Sequence, residues 1–218
     1  MHSVTHHWLG LSCCEFVVDA PLGPWLFRRL GRAAEILRCE SNADGVVSSY
    51  RSLGVYWRQP PPNQDQALAH ISQVLHDCLN LDASLLGHEP REHIVTATYN
   101  GEDLADVAQH GGLSPAEVAE RHSQAEYIVA AVGFMPHFAY LWGMDTTIAT
   151  PRRSSPRPRV PIGAIGIAEG QTGIYPSQSP GGWQLIGQVD KALCQQICPQ
   201  MKIGDVVRFV DSGETSLC

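Results

Sequence analysis

TPRRSSPRPRVPIGAIGIAEGQTGIYPSQSPGGWQLIG, residues 150–187, is the stretch on which the fold of this chain turns. Its apolar runs at 164–168, 172–175 and 183–187 are short and are punctuated by Gly163, Gly166, Gly170, Gly173, Gly181, Gly182 and Gly187. That pattern predicts strands joined by tight turns and corners. The opening part sets Arg152, Arg153, Arg157 and Arg159 among Pro151, Pro156, Pro158 and Pro161. Proline fixes φ and restricts the residue before it, so this segment is expected to be extended and stiff.

Outward from there, residues 127–134 and 206–210 read as further strands, and everything after Glu126 is expected to be strand and turn. Two short helices come before. One covers 103–110 and stops at Gly111 and Gly112. The other opens on Ser114-Pro115-Ala116-Glu117, where Ser114 caps, Pro115 suits the first helical position and Glu117 closes a capping box, and it runs to about His122. A β-barrel-like domain with two small helices over 91–218 is the economical reading. The polar stretch 87–93, with Pro90 and no apolar period, marks its boundary.

The first domain, 1–90, mixes periods. Residues 8–18 are apolar and β-prone. A helix over 22–37 aligns Leu26, Leu30, Ala33, Ala34 and Leu37, and a second over 65–79 aligns Leu68, Ile71, Leu75 and Leu79. Short strands at 45–49 and 53–57 lie between them. The order is β-α-β-β-α, and a strand at 94–99 either closes this layer or opens the next domain. An α+β sandwich of ferredoxin-like type is expected.

Composition excludes several functions. A net charge of -7 argues against a general nucleic-acid binder. Only two of the 15 basic residues are lysines, Lys191 followed by Ala192 and Lys202 followed by Ile203, so a P-loop is absent. The seven cysteines, Cys13, Cys14, Cys39, Cys78, Cys194, Cys198 and Cys218, form no C-x-x-C, and reduced thiols in a cytoplasmic protein are expected, with no metal site. No secretory signal is read at the N-terminus, and no apolar run approaches a membrane span.

Chemistry could sit in three places. The four arginines form a comb suited to carboxylates or phosphates, because guanidinium groups bond both in pairs; the alternative is a basic loop, solvated or paired with the surplus acids. Gln171, Thr172 and Gly173, near a strand start, offer polar groups and a close backbone approach. The loop GFMPHFAYLWGMD, residues 133–145, crowds Phe134, Phe138, Tyr140 and Trp142 with His137, which suits packing over a core edge or the wall of a ligand site. His122 is the candidate for proton transfer, against a helix-capping role.

The motifs GFMPHFAYLWGMD, TPRRSSPRPRVPIGAIGIAEGQTGIYP and SPGGWQLIG resemble the signature of the allophanate hydrolase subunit 1 family, which includes the B subunits of 5-oxoprolinases and the Kip inhibitor of a sporulation histidine kinase. Weaker support comes from GEDLADVAQHGGLSPAEVAERH and SSYRSLGVYW. The resemblance implies a cyclophilin-like β-barrel after the α+β domain. It implies a hydrolase component, active only in a heteromeric complex, that opens 5-oxo-L-proline to L-glutamate with ATP and Mg. Its partners would be a homologue of the C subunit, from the allophanate hydrolase subunit 2 family, and the A subunit. Phosphorylating the lactam oxygen would make the amide labile, and positive groups would stabilise the developing charge. The alternative the family offers is a non-catalytic inhibitor of a histidine kinase. The chain departs from the family pattern by placing His137, Trp142 and Glu169 where glycines are usual.

Overall fold

In a computed structural model of the chain, residues 2–40, 42–87 and 89–213 are described. His88, within the boundary stretch 87–93, and Cys218 lie outside the described residues. The chain divides into two compact units, Met1–Glu89 and Pro90–Cys218.

The first unit contains β1 (Ser3–Trp8), β2 (Cys13–Asp19), α1 (Pro24–Glu40), β3 (Gly45–Ser49), β4 (Ser52–Tyr56) and α2 (Gln64–Asn80). Its strands lie in the order β1-β2-β4-β3, all antiparallel. Alternate residues of β2, namely Cys14, Phe16 and Val18, are buried with Leu26, Leu30 and Leu37 of α1 and Ile71 and Leu75 of α2. The helical spacing read from the sequence is therefore the core-facing stripe.

This order differs from the expected β-α-β-β-α in one respect. The run at 8–18 is not one strand but part of a hairpin, reversed at Gly10 with φ of 80°. The edge that a strand after α2 would fill in a ferredoxin-like sheet is taken by β1. The physical reason is reach: β1 is joined to β2 by a tight turn, and local closure costs less entropy than a distant strand.

The second unit contains β5 (Glu92–Thr98), α3 (Leu104–Gly111), α4 (Pro115–Gln124), β6 (Glu126–Val132), β7 (Ala139–Trp142), β8 (Arg157–Val160), β9 (Ala164–Ala168), β10 (Gln171–Ile174), β11 (Ser179–Gly181), β12 (Gln184–Val189), α5 (Lys191–Ile197) and β13 (Val206–Asp211). Seven strands close a barrel in the order β6-β13-β5-β12-β9-β10-β7, with β7 returning to β6. The pair β13–β5 is parallel and the other pairs around the ring are antiparallel. Closure removes the sheet edges. Val95, Ala97, Val129, Leu141, Ile165, Ile167, Ile186 and Phe209 fill the core.

The capping box before α4 is present, with Ser114 accepting from the Glu117 amide and Glu117 accepting from the Ser114 amide. The expectation of strands and turns alone after Glu126 fails at α5. Asp190 caps that helix through the amides of Ala192 and Leu193, so one side chain starts a helix too short to show a clear period. The six described cysteines are free. No described helix is long and apolar enough to cross a membrane.

Candidate functional site

The stiff arginine segment folds back on the loop before β12. The Arg153 amide donates to the Gly182 carbonyl at 2.8 Å, and Gln184 Nε2 donates to the Pro151 carbonyl at 2.9 Å. β8 then pairs with β11 as a separate two-stranded ribbon. Beneath it lies Asp103, only 2% exposed. Its Oδ1 accepts from Arg153 Nη1 at 3.0 Å and from Arg157 Nη2 at 2.5 Å, while its Oδ2 accepts from the Leu185 amide at 2.6 Å. Glu102 adds a second carboxylate, 2.5 Å from Arg157 Nε. A buried carboxylate is costly unless its lone pairs are bonded, and here three donors satisfy it.

The comb therefore divides. Arg153 and Arg157 are neutralised and act as a clasp. Arg159 is exposed on β8. Arg152 borders a pocket of about 280 Å³ lined by Phe134, Phe138, Tyr140, Tyr175 and Trp183. No acidic partner is recorded for Arg152 among the described residues. Phe138 is the hub of the rings, edge-on to Tyr140 at 5.0 Å, Tyr175 at 5.3 Å, Trp183 at 5.5 Å and Phe134 at 5.6 Å between centroids. Edge-to-face packing of this kind is favourable and directional. Burial pushes the Tyr175 phenol up to about 12 and also raises Tyr140, with Arg152 opposing the shift in both. Both phenols are thus protonated donors near neutral pH.

Glycine at 166, 173 and 181 serves these rings. A Cβ on Gly173 would lie 2.8 Å from the Ala139 carbonyl oxygen and 3.0 Å from Phe138, and one on Gly181 would lie 2.6 Å from the Tyr175 hydroxyl. Gly173, expected to admit a ligand, instead admits a neighbouring strand. Gln171 is half-buried at the start of β10 and stands apart from the pocket lining.

His122 and Thr172 lie inside the barrel, both fully buried. Tyr99 Oη donates to His122 Nδ1 at 2.8 Å, His122 Nε2 donates to Thr172 Oγ1 at 2.9 Å, and Thr172 Oγ1 donates to the Gly166 carbonyl at 3.0 Å. This direction follows because the carbonyl can only accept. Burial drives the imidazole pKa down to about 3. His122 is thus held as a neutral, fully bonded link between α4 and the barrel wall, away from the pocket. Asp103, Tyr175 and Trp183 escaped the sequence reading as site residues. The signal for Asp103 was local, an acid directly before α3, but its partners were not.

Residues 5–200 match the family model described as carboxyltransferase domain, subdomain C and D. The chain belongs to that family. This carboxyltransferase-family chain is 45% identical over 212 residues to the B subunit of 5-oxoprolinase from Escherichia coli O157:H7, covering 94% of itself and 95% of that protein. It is 48% identical over 126 residues to the B subunit of 5-oxoprolinase from Bacillus subtilis, covering 55% of itself and about half, 52%, of that relative. The fold of the K. lactis urea amidolyase superposes with a TM-score of 0.72 at 14% identity, over 97% of this chain and 15% of that one. The resemblance of residues 133–187 to a known family is thereby confirmed at the level of the whole chain.

Proposed function

We propose that this member of the carboxyltransferase subdomain C and D family is a component of an ATP-dependent 5-oxoprolinase, converting 5-oxo-L-proline to L-glutamate in a complex with homologues of the A and C subunits. The observation that carries this reading is 45% identity running through 94% of the chain and 95% of a protein named as the B subunit of that enzyme. Both relatives bear that name, which gives the kinase-inhibitor alternative no support.

The residues present do not suit a nucleoside triphosphate. Such a ligand needs several converging donors or a P-loop lysine. Here Arg153 and Arg157 are occupied by Asp103 and Glu102, and neither lysine follows a glycine-rich turn. ATP and Mg are assigned to the other members of the complex. Within the complex, ATP phosphorylates the lactam oxygen and leaves as ADP, one water opens the weakened amide to a γ-glutamyl phosphate, and a second water releases phosphate and glutamate. This chain contributes fixed positive charge and a shaped wall.

The test is reconstitution. The purified chain, combined with its A- and C-subunit homologues, is expected to release glutamate from 5-oxo-L-proline only when ATP is present. A complete set that assembles and releases none, under conditions where another bacterial set works, refutes the reading.

A further inference from the structure

We infer that the aromatic pocket at Arg152 is the place where this chain takes a small cyclic amide bearing a carboxylate, with Arg152 holding the carboxylate and the rings of Phe138, Tyr175 and Trp183 enclosing the ring. The inference rests on the function proposed above and locates the substrate, 5-oxo-L-proline, within it.

Three observations converge. The first is size. At about 280 Å³ the cavity lies below the roughly 300–1,000 Å³ of pockets for drug-sized ligands. That is ample for a single five-membered ring. The second is charge. In a chain of net charge -7, two comb arginines are neutralised by buried or bordering acids, yet Arg152 stands at the aromatic pocket without a carboxylate partner among the described residues. A guanidinium can pack on an aromatic wall, and its N–H donors are then best met by a carboxylate, through paired charge-assisted bonds. The third is construction. Gly166, Gly173 and Gly181 leave room that any Cβ would fill, and so fix where Trp183, Tyr175 and Phe138 stand. The Asp103 clasp pins the segment that carries Arg152 through Arg153 and Arg157. The pocket is therefore held in shape before a ligand arrives. Tyr140 and Tyr175 line it with protonated phenols that can donate to an amide oxygen.

The Arg152→Gln change removes the charge from an exposed side chain and leaves the fold intact, with Arg159→Gln as the control. Binding is read from the indole N–H resonance of Trp183 in the full chain and in the complex with the A and C homologues. The ligands are 5-oxo-L-proline, 2-pyrrolidinone (no carboxylate), L-proline (no amide carbonyl), inorganic phosphate and ATP. We expect 5-oxo-L-proline to shift Trp183. We expect Arg152→Gln to weaken that binding, and to raise KM in the complex, by about tenfold or more, while Arg159→Gln changes neither. An active complex whose KM is unchanged by Arg152→Gln overturns the pocket and leaves the proposed function standing. An inactive complete complex in which 5-oxo-L-proline still shifts Trp183 overturns the function and supports the pocket. A Trp183 shift with ATP or phosphate in place of 5-oxo-L-proline overturns the ligand class.

Discussion

His137 and Glu169, which the sequence resemblance sets at usual glycine positions, both adopt a left-handed backbone, with φ of 68° and 52°. The substitutions thus leave the turns in place and strain them. A left-handed conformation costs an L-residue about 1–2 kcal/mol, offset by the roughly 0.5–1 kcal/mol that glycine loses in chain entropy. His137→Gly and Glu169→Gly are each expected to stabilise the protein by about 0.5–1 kcal/mol, read as a higher urea midpoint at unchanged slope. His122 makes a second prediction. Its folded pKa, about 3, lies below its ordinary 6.5, so as pH falls the unfolded chain takes up a proton that the folded chain refuses. The stability due to this group is complete above pH 6.5 and is lost progressively as pH falls from there toward 3, by about 1.4 kcal/mol per pH unit. His122→Gln, which cannot titrate, should be less stable at pH 7 and should show a shallower fall below pH 6.5. Parallel pH profiles for the two proteins would mean that His122 protonates freely in the fold.

Among the elements, those governed by neighbours in sequence were legible. The capping box at Ser114 and Glu117, the stop of α3 at Gly112 with φ of 65°, and the apolar stripe of α1 all appear where local rules put them. The elements that escaped were those with weak local signals: the hairpin partner β1, the ribbon of β8 and β11, and α5. The clasp between α3 and β8 belongs to the same class, since its strength comes from burial that no local pattern announces. Asp103→Ala would leave Arg157 and the Leu185 amide without their shared partner. The expected loss is about 3 kcal/mol, measured by urea unfolding. A cycle with Arg157→Ala should be clearly non-additive, because both changes break one interaction. An additive cycle would assign the Asp103 effect to Arg153 and the Leu185 amide.

At the scale of the whole chain, each unit has its own core, and the seven-strand ring closes within the second unit. A closed ring has no open edge that needs another segment to pair it. Expressed alone, residues 90–218 are therefore expected to unfold in one cooperative transition, followed by circular dichroism. A broad, non-cooperative melt would show that the ring does not hold by itself. The sequence by itself determined the class of each half, the helix ends, the strand-and-glycine rhythm of residues 150–187 and the family, because period, capping and motif spacing are local properties. Only the tertiary structure decided what the arginines are for. Asp103 lies 50 and 54 residues from the two arginines it binds, and the rings of the pocket come from separate strands and loops. Barrel closure brings them together, and burial decides which charges are neutralised. From that follow the clasp of Arg153 and Arg157, the burial of His122, and the position of Arg152 at the mouth of the aromatic pocket.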